Sequence, residues 1–245
     1  MKDKHGILDS ILGAFAPVHA DGYKFVIGAA LATLLLFVVA PPLGWLGAIA
    51  TAYCAYFFRD PERVTPGRRG IVTSAADGKI VGIADIAAPG ELQLARETLT
   101  RLSVFLSIFD VHIVRAPVAG RVVRSHYVPG AFLNAELDKA SEENERHALV
   151  IETETGEKVG LMLIAGLIAR RIVTFVDEGT SVARGARIGI IRFGSRVDVY
   201  LPAGARILVE AGQTAIGGEM VLAELVRGEE TRGVNSATRS SMAEE

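Results

Sequence analysis

Hydrophobic and polar positions divide the chain into two parts of different character. The stretch from Phe25 to Phe58 contains no charged residue and is interrupted at 41–44 by Pro-Pro-Leu-Gly, a sequence that cannot continue a helix. This pattern predicts two short helices, 25–40 and 45–58, folded back on each other. Each would be about 21 to 24 Å long, which spans a hydrocarbon core of about 30 Å only marginally.

The uncharged stretch favours a helical hairpin in the membrane over its alternative, a pair of helices buried in a soluble core. Apolar residues at helical spacing from Gly6 to Phe15 predict a small amphipathic helix, either at the membrane interface or facing the core. Lys24 precedes the hairpin and several arginines from Arg59 onwards follow it. These positive flanks predict a protein anchored in the cell membrane, with the remainder of the chain on the cytoplasmic face.

Beyond Pro66, short apolar stretches alternate with Gly, Pro, Asp and Asn, which is typical of a mainly β fold of antiparallel sheets, sandwich or barrel-like. Residues 134–146 lack β-branched side chains and are expected to form a loop with some helix. The predicted strands are Lys79–Ala84, Arg101–Leu106, His112–Ala116, Gly120–His126, Ala148–Glu152, Lys158–Ile164, Arg171–Phe175, Ala186–Phe193, Val197–Leu201 and Arg206–Val209.

These patterns divide the chain into four predicted segments. Residues 1–24 form an amphipathic N-terminal segment, and residues 25–58 form the membrane-associated hairpin. Residues 59–226 form the β-rich domain. The polar tail at 227–245 is nearly without large apolar side chains and is expected to be disordered.

Composition and charge exclude several classes of protein. Half of the residues are apolar, which allows a real core, and the net charge of -2 leaves no basic face for a nucleic-acid partner. Cys54 is the only cysteine, so neither disulfides nor cysteine-ligated zinc organise the fold. The five histidines show no spacing typical of metal ligands, so we expect no metal site.

The Gly194-Ser195 pair is the first candidate for chemistry. Period-two alternation on both sides predicts two strands joined by a tight turn at Gly194, and a glycine there leaves its carbonyl carbon unshielded beside the next hydroxyl. With His112 as base and Asp77 as the carboxylate that orients it, Ser195 would be an activated nucleophile. Each candidate also has a simpler interpretation: a hairpin turn at Gly194 or Asp77, and a sheet histidine at His112.

Five motifs occur together along the chain, and they are Phe57-Phe58-Arg59-Asp60-Pro61-Glu62-Arg63, Ala76-Asp77-Gly78, Phe109-Asp110-Val111-His112, Asn144-Glu145-Arg146 and Phe193-Gly194-Ser195. Their order and approximate spacing resemble the short form of phosphatidylserine decarboxylase. The resemblance covers roughly residues 20–225 and implies a membrane-attached proenzyme that cuts itself between Gly194 and Ser195. It implies two associated chains, 1–194 and 195–245, the second capped by a pyruvoyl group made from Ser195.

The resemblance also implies a sequence of reactions. With Asp77 holding the imidazole in one tautomer, His112 takes the proton of Ser195, whose oxygen attacks the Gly194 carbonyl and converts the amide to an ester. β-Elimination then releases the upstream chain, and hydrolysis of the remaining dehydroalanine gives the pyruvoyl ketone and ammonia. The ketone forms a Schiff base with phosphatidylserine and replaces pyridoxal phosphate as electron sink while carbon dioxide leaves, which yields phosphatidylethanolamine.

Four polar residues are candidates for substrate binding. Arg115 stands where longer members of the family carry a second histidine, and it would pair with a substrate carboxylate or phosphate, or form a structural salt bridge. His126, Asn144 and Arg146 are further candidates for contact with the substrate, and surface loop and turn is the alternative for them. A phospholipid in the membrane is the expected partner, and a homodimer is a candidate assembly.

Two other functions fit part of the chain. Lys139 and the Ala-Pro-Val-Ala-Gly sequence at 116–120 resemble the modified lysine and strand pattern of lipoyl-bearing β domains, which would make the protein a membrane-tethered carrier or adaptor. Pyruvoyl chemistry on a soluble amino acid is the other alternative. Such an enzyme would not need the apolar segment.

Overall fold

The computed structural model describes residues 16–94, 98–130, 143–166, 171–192 and 194–225. The expected amphipathic helix at 6–15, most of the loop that includes Lys139 and the polar tail lie outside the described residues. Within the described ranges the mainly β fold with an N-terminal helical pair is confirmed.

The two N-terminal helices form an antiparallel pair, α1 (Ala20–Val39) and α2 (Pro41–Phe57). The break predicted at 41–44 is wrong in one respect, because the two prolines occupy the first positions of α2 instead of a loop. Proline is tolerated there, since the first helical N–H groups have no intrahelical partner. The helices approach closely where Gly44 faces the Phe37 ring, and the hydroxyl oxygens of Thr33 and Thr51 lie 3.0 Å apart.

Most large apolar side chains of both helices are exposed, which argues against a pair of interior core helices. Val38, for example, is 84% exposed and Trp45 is 69% exposed. Among the described residues, α1 is the helix that is long and apolar enough to cross a membrane by length and composition. At 17 residues α2 is shorter.

Fourteen strands build the remainder of the described chain, and all of their ladders are antiparallel. They are β1 (Ile71–Thr73), β2 (Gly78–Ala87), β3 (Thr98–Leu106), β4 (Ile113–Arg115), β5 (Gly120–Val128), β6 (Arg146–Glu152), β7 (Lys158–Ala165), β8 (Arg171–Thr174), β9 (Ser181–Val182), β10 (Arg187–Arg192), β11 (Ser195–Leu201), β12 (Arg206–Ile207), β13 (Thr214–Ala215) and β14 (Val221–Glu224).

The strands form one large sheet and two small ones. The eight-stranded sheet has the order β13-β2-β3-β11-β7-β6-β5-β9, and the three-stranded sheets have the orders β1-β14-β12 and β4-β10-β8. The structure has a strand at each of the ten predicted positions. It adds β1, β9, β13 and β14, which are only two to four residues long and too short to show a period-two pattern.

The strands around Gly194 do not form the predicted hairpin. β10 pairs with β4 and β8 in a small sheet, whereas β11 pairs with β3 and β7 inside the large sheet. Gly194 has a φ of 56°, a left-handed conformation that glycine adopts without strain. This conformation redirects the chain from one sheet to the other.

β11 is the most protected strand of the large sheet, because it has a hydrogen-bonded neighbour on each side and all of its residues are buried. One face of the sheet carries the main apolar core, which includes Leu106, Leu163 and Val197. A smaller apolar cluster covers the other face around Met162 and Tyr200. The first residue of β11, Ser195, therefore lies inside the protein.

Candidate active site

The hydroxyl of Ser195 lies in the interior without a partner. Ser195 is opposite Leu106 of β3 and Ala165 of β7, and its exposed fraction is 0%. Its Oγ has no hydrogen-bond partner among the described residues. On the preceding residue, the carbonyl oxygen of Gly194 accepts a hydrogen bond from the Gly166 N–H at 3.0 Å. The carbonyl of the peptide bond predicted to be cut is therefore fixed by a hydrogen bond, and the Ser195 hydroxyl next to it has no partner among the described residues.

His112 has the form of a neutral base. Its Nδ1 lies 2.9 Å from the main-chain oxygen of Asp110, and an oxygen there requires that Nδ1 carries the proton. Nε2 is buried and has no hydrogen-bond partner among the described residues. Burial lowers the pKa of His112 to about 4, although the hydrogen bond to Asp110 and the Asp110 charge act in the opposite direction. The imidazole is therefore neutral near pH 7 with a free Nε2 lone pair.

The turn that carries His112 is attached to the helical pair. Asp110 closes the turn by accepting hydrogen bonds from the N–H and the hydroxyl of Ser107. The Tyr53 hydroxyl donates to the Ile108 oxygen, and Tyr56 and Arg59 donate to the oxygen of Phe109. At the end of α2, the Phe57 ring lies 4.2 Å from the His112 ring, centroid to centroid. The position and the burial of His112 therefore depend on the N-terminal helices.

Asp77 does not orient the imidazole as predicted. Its Oδ2 accepts from Arg63 at 2.6 Å and its Oδ1 accepts from the Gly217 N–H at 2.8 Å, whereas the imidazole proton is held by the Asp110 carbonyl. Burial raises the pKa of Asp77, and Arg63 and the Gly217 N–H oppose that rise. The charges of Asp110 and Arg59 act on both Asp77 and His112, so the two groups share one electrostatic cluster.

We expect Asp77→Asn to slow self-cleavage about tenfold, the effect of about 1.4 kcal/mol on a barrier. The change leaves the Arg63 charge uncompensated beside the cluster, which opposes protonation of His112. Adding Arg63→Met should restore most of the rate if Asp77 acts as the counter-ion of Arg63. The half-time of appearance of the small chain on a gel measures both effects. A double variant as slow as the single one would give Asp77 a direct part in the chemistry instead.

Arg115 forms the structural salt bridge that was the alternative to substrate binding. Its guanidinium donates to the carboxylate of Asp60 at 3.1 Å, to the Pro61 oxygen and to the Gly185 oxygen, and only 5% of the residue is exposed. Asp60 also pairs with Arg187 at 2.5 Å. These contacts join the segment after α2 to β4 and β10.

The other substrate-binding candidates differ in burial and in the partners that they contact. Asn144 is fully buried and its amide donates to the Ala165 oxygen at 2.7 Å, so a surface loop is wrong for this residue. Arg146 forms an ion pair with Glu91. His126 lies on β5 opposite Ala148 and is exposed.

Several residues of the site were not predicted as functional. Asp110 and Phe57 lie in motifs quoted for the resemblance, but the sequence does not reveal that a main-chain oxygen and a ring face would contact His112. Arg63 also lies in a quoted motif, and its pairing with Asp77 depends on the tertiary fold. The sequence does not indicate a role for Gly166, because this residue contributes only its backbone N–H.

A buried serine hydroxyl next to the Gly194 carbonyl and a neutral buried histidine indicate an enzyme site built around a nucleophile and a base. Comparison with known proteins identifies the family. The family model for phosphatidylserine decarboxylase matches residues 50–223. A phosphatidylserine decarboxylase proenzyme from Nitrobacter winogradskyi is 55% identical over 215 residues, which are 88% of this chain and 87% of the relative. The chain belongs to the phosphatidylserine decarboxylase family and is a decarboxylase.

Proposed function

We propose that this protein is a self-processing enzyme of phospholipid biosynthesis that converts phosphatidylserine to phosphatidylethanolamine and carbon dioxide, with a pyruvoyl group made from Ser195. The observation that carries the proposal is a pair of buried and unpartnered polar atoms, the Ser195 Oγ and the His112 Nε2. Buried polar groups of folded proteins are nearly always hydrogen-bonded. Ser195 and His112 are two of several such exceptions among the described residues, and they combine a hydroxyl next to the Gly194 carbonyl with a neutral base. This combination supports a site that is prepared for reaction in the precursor.

In the first step, His112 Nε2 takes the proton of the Ser195 hydroxyl, and Oγ bonds to the Gly194 carbonyl carbon. The carbon–nitrogen bond between residues 194 and 195 then breaks, the nitrogen takes the proton from His112 and leaves as an amine, and Gly194 remains attached through an ester. Because Nδ1 is held by the Asp110 oxygen, Nε2 is the nitrogen left to exchange this proton.

The second step removes the Cα proton of residue 195 and expels the Gly194 carboxylate, which divides the chain. Hydrolysis of the dehydroalanine left at residue 195 releases ammonia and leaves the pyruvoyl ketone. The ketone supplies an electron sink for the decarboxylation of a bound amine. The described residues hold no group of three or more metal-ligating side chains.

The small chain stays with the large one because its first strand is the centre of the sheet. β11 pairs with β3 from Ser195 to Leu201 and with β7 from Ser195 to Tyr200. Each of these backbone hydrogen bonds forms within a buried strand, where an unpaired donor or acceptor would be costly. Cutting between Gly194 and Ser195 leaves the pairing of β11 with both neighbours in place from Arg196 onwards.

The helical pair brings the site to its lipid. Phe109, which is 61% exposed, lies on the turn that α2 holds beside His112. We infer that this turn lies at the membrane surface, on the cytoplasmic side that Lys24 and Arg59 favour. A phosphatidylserine headgroup would then reach the site without leaving the bilayer.

The mass of the purified protein and hydride trapping test the proposal together. Division of 26.0 kDa in proportion to 194 and 51 residues gives chains of about 21 and about 5 kDa. The small chain should resist amino-terminal sequencing and become labelled when phosphatidylserine and a hydride reductant are added together. Phosphatidylcholine, which lacks a primary amine, is the control and should give no label.

Other results would support the alternatives or remove the proposal. An intact chain with a mass addition at Lys139 would favour the carrier. Labelling by free serine but not by phosphatidylserine vesicles would favour a soluble amino acid as substrate. A small chain with a free serine amine would contradict the pyruvoyl mechanism.

A further inference from the structure

We propose that the peptide unit between Ala165 and Gly166, held by the side chain of Asn144, stabilises the oxyanion that forms on Gly194 during self-cleavage. The inference rests on the proposed self-cleavage and assigns two parts of the chain to it. The N–H of Gly166 is the donor to the oxyanion. Asn144 is a positioning residue that acts through this peptide.

The donor contacts the atom on which charge develops. The Gly166 N–H points at the Gly194 carbonyl oxygen, with nitrogen and oxygen 3.0 Å apart. When the Ser195 Oγ attacks this carbonyl, the oxygen becomes an anion, and a preorganised backbone N–H at this distance stabilises it. The same bond draws electrons from the carbonyl in the resting precursor, which favours attack on its carbon.

The side of the peptide that faces away from Gly194 is held by the side chain of Asn144, because the Ala165 oxygen accepts from the Asn144 amide at 2.7 Å. The preceding peptide is held on the same side, where the Ala165 N–H donates to the main-chain oxygen of Glu145 at 2.9 Å. The Ala165 carbonyl and the Gly166 N–H belong to one peptide unit. A hydrogen bond that polarises the carbonyl therefore strengthens the N–H as a donor.

The surroundings keep this arrangement dry and rigid. Asn144 has an exposed fraction of 0% and Glu145 of 5%, so water does not compete for the Ala165 oxygen. The Glu145 carboxylate accepts from the Ile172 N–H at 3.1 Å, which fixes the start of β8 against the same segment. The burial of Asn144 favours this role over contact with substrate.

The test compares Asn144→Ala and Asn144→Asp with the wild-type full-length chain by the rate at which the small chain appears. We expect Asn144→Ala to slow cleavage about tenfold, less than the 10²–10³ loss found when a direct oxyanion donor is removed. Asn144→Asp keeps the shape of the side chain. When ionised, the new carboxylate has no proton to donate to the Ala165 oxygen, and when protonated it can donate again.

The pH profile separates this role from a general loss of structure. The Asn144→Asp rate should rise severalfold from pH 8 to pH 5, whereas the wild-type rate stays flat because the His112 pKa is about 4. Among the described residues, the charged neighbours of position 144 along the chain are Glu143, Glu145 and Arg146, and Arg146 donates to the main-chain oxygen of Asn144. The three groups are present in both proteins, so a difference between the two profiles is due to the residue at position 144.

Thr73→Val is the matched control, because its hydroxyl donates to the Pro117 oxygen inside another part of the fold. It loses one buried bond of the same kind and should cleave at the wild-type rate. Three results would overturn this inference but not the proposed function. They are equal slowing of cleavage in Thr73→Val, a cleavage rate in Asn144→Asp that does not change with pH, and a wild-type cleavage rate in Asn144→Ala. A wild-type chain that never divides would overturn the proposed function together with it.

Discussion

Replacing Ser195 by alanine should leave a single 245-residue chain without any decarboxylase activity. The loss should be complete because one residue has two successive tasks. In the proposed mechanism, its oxygen displaces the peptide nitrogen, and its α-carbon becomes the ketone that binds substrate. Alanine has neither the oxygen nor a route to the ketone. Gel electrophoresis, intact mass and release of labelled carbon dioxide measure the three consequences in one preparation.

Ser103→Ala is the matched control for this change. Ser103 is a buried serine on β3, 2% exposed, and its hydroxyl also has no hydrogen-bond partner among the described residues. It lies opposite Asp198 of β11, in the same part of the sheet. The Ser103→Ala chain should divide normally, and retained activity in Ser195→Ala would contradict the mechanism.

Replacing His112 by alanine should slow self-cleavage by a factor of about 10² to 10⁴, the usual contribution of a general base. A serine hydroxyl without such a base is a poor nucleophile at neutral pH. His147→Ala is a fitting control, since His147 is another buried histidine of lowered pKa and its ring nitrogen contacts Ser125. Normal division of the His112→Ala chain would remove His112 from the cleavage step.

The pH dependence of wild-type cleavage is a second measure of His112. Because its pKa is lowered to about 4, Nε2 is free to accept a proton throughout the neutral and weakly acidic range. The rate should therefore fall only as the pH drops to about 4 and below, instead of near 6.5, the ordinary pKa of histidine. A decline centred near pH 6.5 would contradict the burial of His112 beside Phe57.

The sequence was sufficient for the strand positions, because the ten predicted segments are short apolar stretches separated by residues such as Gly, Pro, Asp and Asn. It was insufficient for pairing. Alternation around Gly194 is the same for a hairpin as for two strands that enter different sheets, and the φ of Gly194 decides between them. The two-residue strand β9 has no pattern to detect.

For the candidate site, too, the sequence revealed some of the groups and not others. Ser195 and His112 could be named from their motifs, because their reactive groups, a hydroxyl and an imidazole, belong to side chains that the sequence specifies. The contacts that tune them are backbone groups, such as the oxygen of Asp110 and the N–H of Gly166. Every residue except proline offers a backbone N–H, so sequence alone cannot show which of them faces the reacting atom.

The separation of β10 and β11 into two sheets has a consequence for what happens after the cut. β10 is held by β4 and β8, and β11 is held by β3 and β7. Had the two strands formed a hairpin, their ladder would hold the new chain ends side by side and block the ketone. After the proposed cut, the carboxyl end at Gly194 follows the strand that is held in the small sheet, whereas residue 195 begins the strand that is held in the large one. Among the described residues, no ladder then joins the new carboxyl end to the proposed ketone.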